Sequence, residues 1–210
     1  MLNNGYLTEK QIDKLNPITG PLSHDDIVWA RQAMEGIEAI IKAAGDNPDR
    51  DGLLETPFRV FKAFMEYTKG YREDPKEHLK KSFDVDHDDI VLVKDIPFNS
   101  LCEHHFAPFF GKVHIAYIPS DKITGLSKFA RLTDGYANRF QVQERLTQEI
   151  ADAIQEVLEP KAVAVIVEGE HYCMCGRGVK KKGAVTVTST MRGLFRENSD
   201  ARAEILNLLK

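Results

Sequence analysis

Residues 90–118 read IVLVKDIPFNSLCEHHFAPFFGKVHIAYI, and this stretch decides the fold class. Its two ends, 90–98 and 109–118, are rich in β-branched and aromatic residues, which is typical of strands. A second pair of strand patterns follows at 162–168 and 183–191. Because strands that come in pairs favour hairpins, the sequence predicts an α+β fold in which an antiparallel sheet carries helices on one face.

Two helical patterns precede these strands. Ser23 is a candidate N-cap, and apolar residues recur behind it at helical spacing until Gly45. Thr56-Pro57 is predicted to open a second helix that extends to Gly70, with Thr56 as the cap and Pro57 at the first position. The helices form a block of their own ahead of the sheet.

The remaining patterns complete the predicted organisation. Residues 1–22 are polar and are expected to form a loose arm. The arm and the first helices, residues 1–70, are therefore predicted to be an amino-terminal layer used for assembly, and residues 71–210 a second domain that carries the sheet. Helices of that domain are predicted near 126–138, 143–158 and 199–209.

Composition restricts the classes of function. The 210 residues include 28 Lys and Arg against 32 Asp and Glu, a net charge of −4, which disfavours a protein that coats nucleic acid. No apolar run approaches the ~20 residues of a membrane span, and the first residues lack the apolar core of a secretory signal. The chain is therefore expected to be cytoplasmic, where its three cysteines stay reduced.

All three cysteines lie in two short clusters, together with three of the seven histidines. Segment 102–105, CEHH, follows a predicted strand, and its Cys-x-x-His spacing lets one loop offer a thiolate and an imidazole to one metal ion. Segment 171–175, HYCMC, follows another strand. Residues two apart in an extended segment face the same side, which would align His171, Cys173 and Cys175. The clusters predict a metal site, and mixed Cys/His ligation suits zinc.

Spacing alone leaves the nature of this metal site open. A structural zinc is closed by four protein ligands, whereas a catalytic zinc has three and a free position. The clusters offer six candidate groups, and histidines beyond three ligands suit acid–base chemistry near neutral pH, which favours catalysis. Taken by itself, segment 102–105 is equally well explained as a buried thiol beside surface histidines.

Basic residues indicate a site for a polyanion such as a phosphate ester. Arg177 lies just beyond the second cluster. Ser127, Lys128 and Arg131 lie at a predicted helix start, and helix amino termini favour anions. Lys180–Lys182 are better explained as a solvated hairpin turn.

Gln143-Glu144 begins the pattern of the long helix at 143–158. A carboxylate at that position is most simply a charge that favours the helix start. It is also able to accept two hydrogen bonds from the amide and amino edge of a guanine, although the spacing does not decide between these roles.

In combination, several motifs make the chain resemble the GTP cyclohydrolase I family from about Asp25 to Leu209. These motifs are NPDRDGL at 47–53, TP with Arg59 and Val60 at 56–60, CEHH at 102–105, GLSK at 125–128, QERLT at 143–147, HYCM at 171–174 and RG at 177–178. The resemblance implies that residues 71–210 form a catalytic domain with the tunnelling fold. It also implies a homo-oligomer of pentameric rings, with two rings forming a decamer.

The resemblance further implies a role for each matching residue. Cys102, His105 and Cys173 correspond to the zinc ligands, and His104 and His171 correspond to the acid–base histidines. The remaining positions correspond to contacts with GTP: Gln143 and Glu144 with guanine, then Ser127, Lys128, Arg131 and Arg177 with the ribose-triphosphate, and Arg59 and Lys62 from a neighbouring subunit. Cys175 lies outside the ligand set and is expected to be a neighbour of the ligands or a spectator thiol.

The implied reaction is zinc-dependent hydrolysis of GTP to 7,8-dihydroneopterin triphosphate and formate, the first step of pterin and folate synthesis. Zinc lowers the pKa of bound water from ~15.7 toward ~7 for attack on carbon 8 of guanine. His171 then protonates the ring nitrogen, and the uncleaved triphosphate serves positioning. Two alternatives stay open from the residues: a tunnelling-fold relative such as a nitrile reductase, and a structural zinc protein that binds nucleotide as a regulator.

Overall fold

A computed structural model of the chain describes residues 7–84 and 86–209. The described residues divide into two compact units, and the boundary lies between Arg72 and Glu73. Each unit has its own hydrophobic core, so the two are described in turn.

The first unit is helical. It consists of α1 (Glu9–Thr19), α2 (His24–Ala43), α3 (Thr56–Tyr67) and a short 3-10 helix (Lys69–Arg72). Ser23 caps α2 as the sequence predicts, because its hydroxyl accepts from the Asp26 backbone N–H at 3.2 Å while the Asp26 carboxylate accepts from the Ser23 N–H at 2.9 Å. The core of the unit is formed by Leu7, Leu15, Ala30, Met34 and Phe58.

The loose arm expected over residues 1–22 is wrong for its described part. Thr8 and Gln11 form a second capping box, in which the Thr8 N–H donates to Gln11 Oε1 at 2.9 Å and starts α1. Leu15, on the inner face of α1, is fully buried. This largely polar segment therefore forms a helix because its few apolar residues pack into the core of the unit. Residues 1–6 lie outside the described residues.

The second helix predicted by the sequence also begins differently. Helix α3 includes Thr56 as its first residue, and Glu55 is the residue before it, without a capping side-chain hydrogen bond. The Thr56 hydroxyl donates instead to the Gly52 carbonyl oxygen at 3.4 Å. Thr56 is thus no cap; Pro57 is tolerated because the first N–H groups of a helix have no helical acceptor. The helix ends at Tyr67 rather than at Gly70.

The second unit is built on a five-stranded sheet. The strands along the chain are β1 (Ser82–Asp84), β2 (Val91–Cys102), β3 (Pro108–Ile118), β4 (Lys122–Thr124), β5 (Phe140–Gln141), β6 (Ala162–His171) and β7 (Val185–Gly193). The sheet has the order β5-β2-β3-β6-β7, and every pairing is antiparallel except the short parallel pairing of β5 with β2. Strands β1 and β4 pair separately. The predicted antiparallel α+β fold is confirmed.

The helices of the second unit are α4 (Leu126–Ala137), α5 (Gln143–Leu158), α6 (Tyr172–Cys175), α7 (Leu194–Glu197) and α8 (Ser199–Leu208), with a 3-10 helix at Pro75–Leu79. Helices α4 and α5 cover one sheet face, where Val113, Ile115 and Tyr117 of β3 are buried against them. The opposite face is covered at one end, where Phe195 and Ile205 pack on alternate residues of β3 and β6. Within the described ranges, no helix has both the length and the apolar character needed to cross a bilayer.

Strand order determines where the two chemical clusters meet. Strands β2 and β6 both pair antiparallel with β3, one on each side, so they run in the same direction. Their carboxyl ends, Cys102 and His171, therefore lie at the same edge of the sheet. The register agrees, since Phe109 at the start of β3 is paired with His171 while its neighbour Pro108 is paired with Leu101.

Candidate metal and substrate site

The first cluster, residues 102–105, lies in a tight turn that directly follows β2. The backbone N–H of Phe106 donates to the Cys102 carbonyl oxygen at 2.9 Å, and the Cys102 N–H donates to the Ala107 carbonyl oxygen at 2.9 Å. Phe106 has a φ of 52°, and its ring stacks on Phe140 with 4.8 Å between centroids. This stacking holds a residue in the left-handed region, which lets the turn present His104 and His105 beyond the strand end.

The structure brings Cys102, His105 and Cys173 together. One possible ligand atom from each lies within 4.8 Å of the others, and Cys102 Sγ is 3.9 Å from His105 Nδ1. Tetrahedral ligands about 2.3 Å from a zinc ion lie about 3.8 Å from one another, so the group needs only a small closure to hold such an ion. Two sulfurs and one imidazole nitrogen also form a donor set that zinc favours.

Burial and two neighbouring residues act on the pKa of the Cys173 thiol. Burial raises the pKa of its thiol, and the adjacent Cys102 sulfur raises it further, because two neighbouring thiolates repel each other. Arg177 lies close enough to lower the pKa again. A bound metal ion would offset the repulsion between the two sulfurs by stabilising both thiolates.

Cys175 does not lie with the other two cysteines. The sequence predicts an extended segment that aligns it with His171 and Cys173, and this prediction is wrong. Strand β6 ends at His171, and Tyr172–Cys175 form the helical turn α6, on which residues two apart face different directions. Cys175 is buried, with 8% of its surface exposed, and is not part of the Cys102–His105–Cys173 group.

His171 is close in sequence to Cys173 and is held by contacts with Phe109 and Gln143. Its ring is parallel to that of Phe109, with 4.7 Å between centroids and 2° between planes. Its Nε2 is 2.8 Å from Gln143 Oε1. Burial lowers the pKa of His171, and the negative charge of Glu144 acts in the opposite direction. Glu144 and His171 are therefore neighbours in one electrostatic environment.

His104 lies on the open side of the same turn. Its side chain is 64% exposed, its Nδ1 is 3.8 Å from Cys102 Sγ, and its Nε2 is 3.9 Å from Glu103 Oε1. Glu103 is ion-paired with Arg145 of α5, whose Nε donates to Gln141 Oε1 at 3.0 Å. Through Glu103 and Arg145, His104 is therefore connected to the first turn of α5.

The start of α5 carries Gln143 and Glu144 in opposite settings. The Glu144 side chain is exposed, whereas Gln143 is 1% exposed and its amide contacts neighbouring strands. Neither side chain caps the helix; Val142 precedes it without a side-chain capping bond. The first backbone N–H groups of α5 consequently have no acceptor within the helix or from a capping side chain.

The predicted phosphate contacts lie in three places. Ser127, Lys128 and Arg131 lie in the first two turns of α4, and within the described residues no hydrogen bond or ion pair joins them to the Cys/His group. Arg177 is exposed and close to Cys173. Arg59 and Lys62 belong to the first unit, where Arg59 pairs with Glu55 at 2.7 Å and Lys62 pairs with Glu66 at 2.6 Å on the surface of α3.

Sequence reasoning missed several residues that shape this site. Arg145 lies inside the QERLT motif, but nothing in its spacing indicates an ion pair with Glu103, 42 positions away. Phe109 is recognisable only as a strand residue, and Gly169 only as the residue that follows a predicted strand. Their importance comes from the strand register, which a single sequence does not display.

The family model and the curated relatives that match this chain identify the same family. A family model described as GTP cyclohydrolase I matches residues 33–210. The chain is 54% identical over 180 residues to the GTP cyclohydrolase 1 of Bacillus cytotoxicus, which covers 85% of this chain and 95% of that protein. Proteins of the same name from Bacillus mycoides and Bacillus cereus match equally well.

Among solved structures, the chain is similar to the apo form of the archaeosine synthase QueF-Like. The TM-score is 0.40 and the identity 20%, over 50% of this chain and 93% of that one. A likeness this weak bears on neither the fold nor the function of the chain.

Proposed function

Because this chain belongs to the GTP cyclohydrolase I family and has the activity of that family, we propose that it converts GTP and water to 7,8-dihydroneopterin triphosphate and formate with a zinc ion held by Cys102, His105 and Cys173. The observation that carries this proposal is the convergence of these three donors at one edge of the sheet. The product would enter pterin and folate synthesis, in the cytoplasm.

The donor set fits a catalytic rather than a closed zinc site. Three protein ligands, two sulfurs and one nitrogen, leave one tetrahedral position for water or substrate. Zinc bound there would supply a Lewis acid that activates water for attack on carbon 8 of the purine. The Arg145–Glu103 ion pair keeps the loop that carries Cys102 and His105 against α5. His105 is exposed, so the site is open to substrate.

His171 and His104 move protons in the proposed reaction. His171 gives a proton to the imidazole-ring nitrogen of guanine while the bond from that nitrogen to carbon 8 breaks. Burial lowers the pKa of His171, and Glu144 opposes this shift because its negative charge favours the protonated ring. His104, on the open side, exchanges protons with the water and with the departing formate.

Substrate recognition is assigned to the two residues at the start of α5. The exposed carboxylate of Glu144 accepts the two N–H donors on the amide and amino edge of guanine, a pattern that adenine does not present. Gln143 contributes its backbone N–H, at the first position of α5, as a donor to the guanine carbonyl oxygen.

Basic side chains away from the reacting carbon 8 hold the triphosphate. Ser127, Lys128, Arg131 and Arg177 belong to the same unit as the Cys/His group. Arg59 and Lys62 are assigned to the site of a neighbouring subunit in pentameric rings that pair into a decamer. Their partners Glu55 and Glu66 are exposed, and exposed ion pairs contribute ~0–1 kcal/mol, so an incoming triphosphate displaces them readily.

The direct test is to incubate the zinc-loaded protein with GTP and measure both products. Formate and, after oxidation, a fluorescent pterin should appear in equal amounts, with ATP a poor substrate. The Cys102→Ala protein is the matched control and should form neither. Formate without a pterin, or turnover that survives complete removal of zinc, would contradict the proposal.

A further inference from the structure

The side-chain amide of Gln143 has only one possible orientation. Its Nε2 lies 3.0 Å from the Val167 carbonyl oxygen and 2.9 Å from the Thr186 carbonyl oxygen. Carbonyl oxygens only accept hydrogen bonds, so the NH₂ end of the amide must face them and both of its hydrogens are used. The Oε1 end therefore faces the other way, toward His171.

This orientation determines which nitrogen of His171 carries the hydrogen. The His171 Nε2 is 2.8 Å from Gln143 Oε1, and an amide oxygen has no hydrogen to give. Nε2–H must therefore be the donor, which leaves Nδ1 as the unprotonated nitrogen of the neutral ring. Within residues 7–84 and 86–209, Nδ1 makes no hydrogen bond of its own.

Two neighbours keep this arrangement rigid. The ring of Phe109 lies parallel to the imidazole at 4.7 Å and limits its rotation. A Cβ atom at Gly169 would lie 2.4 Å from Gln143 Oε1 and 3.7 Å from His171 Nε2, so only glycine leaves room for the amide to reach the ring. The hydrogen bond between His171 and Gln143 is therefore held by the Phe109 ring, and it can form because residue 169 has no side chain.

We propose that Gln143 is a positioning residue that holds His171 in the Nε2–H form, with Gly169 making the space for its amide, so that Nδ1 is the atom through which His171 exchanges protons with the substrate. This inference rests on the proposed function for the identity of the reaction. It makes the Gln143 side chain a partner of the histidine rather than of guanine, since the buried amide has no donor left for a base.

A spectroscopic measurement tests the proton position without turnover. Solid-state ¹⁵N NMR of the zinc-loaded, histidine-labelled protein, with the His171 signals assigned from a His171→Asn sample, should show a protonated Nε2 and an unprotonated Nδ1 for the neutral ring. In Gln143→Met, where the acceptor for Nε2–H is gone, both forms should appear. A protonated Nδ1 in the parent protein overturns the inference.

Kinetics separate positioning from substrate binding. Gln143→Met should keep its zinc and its KM for GTP but lose kcat about 10²-fold, the effect of a misplaced reacting group. Gly169→Ala should lower kcat in the same way although Gln143 is intact, and it keeps the test valid if Gln143→Met does not fold. Gln155→Met, the same change on the same helix without a histidine contact, should retain the parent kcat.

The outcomes distinguish the two proposals. A raised KM with unchanged kcat in Gln143→Met would make the side chain a guanine contact and overturn this inference alone. Absence of formate from the parent protein would overturn the proposed function, while the NMR result would still decide the proton position on His171.

Discussion

Arg145, in the first turn of α5, is ion-paired with Glu103, which lies between Cys102 and the two histidines of the loop 102–107. The same guanidinium donates from Nε to Gln141 Oε1 at 3.0 Å. The loop is therefore held against the helix that begins with Gln143 and Glu144, the two residues proposed to bind guanine. The proposed metal site and the proposed guanine site thus depend on the same ion pair.

The first prediction concerns the ion pair between Arg145 and Glu103. Arg145→Met removes both hydrogen bonds but keeps the long apolar side chain, so the loop loosens while the helix persists. Changes in groups behind the ligands weaken metal binding about 10- to 100-fold, and we expect a loss of this size in the zinc affinity. Competition with a chelating dye measures it. Arg192→Met breaks an ion pair with Asp152 elsewhere on α5 and should leave zinc affinity unchanged; equal losses in both variants would contradict the prediction.

The second prediction concerns the ligand set. Cys102→Ala, His105→Ala and Cys173→Ala each leave two donors, which hold an ion poorly, so each protein should be purified with far less than one zinc per chain. Cys175→Ala is the control, because this buried thiol stands apart from the group and should retain its metal. Elemental analysis of the purified proteins gives the stoichiometry. Loss of zinc from Cys175→Ala would mean that Cys175 closes the site as a fourth ligand.

The third prediction concerns the pKa of His171 in the zinc-free protein. Burial places it below the ordinary value of 6.5, and Glu144 limits the fall, so Glu144→Gln should lower the pKa further. A histidine with a depressed pKa is less basic when folded than when unfolded. Its contribution to stability is therefore complete above pH ~6.5 and declines as the pH falls toward the folded pKa.

Glu144→Gln should extend this loss of stability to a lower pH. Titration of the ring by ¹⁵N NMR and chemical denaturation between pH 5 and 7 follow the two effects, with Glu156→Gln, on the same helix but at its far end, as the control. A rise of the His171 pKa in Glu144→Gln would show that the carboxylate does not act on this ring.

The fourth prediction tests whether the site is shared between subunits. A protein with Arg59→Ala and Lys62→Ala and a protein with Glu144→Ala should each be nearly inactive. When they are unfolded together and refolded into mixed oligomers, some sites receive an intact Glu144 from one chain and intact cations from its neighbour, so activity should return. Native mass spectrometry verifies mixing. Mixed oligomers as inactive as the parents would show that each site is built within one chain.

The sequence anticipates those parts of the molecule whose pattern is local. Helix α5 begins at Gln143 and ends at Leu158 as predicted, because its buried positions recur every three to four residues. Helix α1 was missed because its apolar stripe is short and its Thr8 capping box lies in a polar context. The alignment of Cys175 with His171 and Cys173 was wrong because alternation holds only while the chain stays extended, and here β6 gives way to a helical turn at Tyr172.

The site shows the same division between local and long-range information. Spacing along the chain identifies the two Cys/His clusters, whereas the choice of Cys102, His105 and Cys173 among their six candidate groups comes from the family resemblance. The bond between Gln143 and His171 joins residues 28 positions apart and depends on how α5 packs on β6. No local pattern encodes such a pairing, since its cause is the register of Phe109 with His171 and the open space at Gly169.

The placement of β3 between β2 and β6 also fixes the order in which a new chain matures. Cys173 follows His105 by 68 residues, so at ribosomal speed the third ligand emerges about 3 to 14 s after the second. During that interval β2 and β3 can already form a hairpin that presents two ligands, too few to retain an ion. With the proposed ligand set, metal capture waits until β6 docks along β3, which makes metal loading a late event in biosynthesis and a sign that β6 has joined the central sheet.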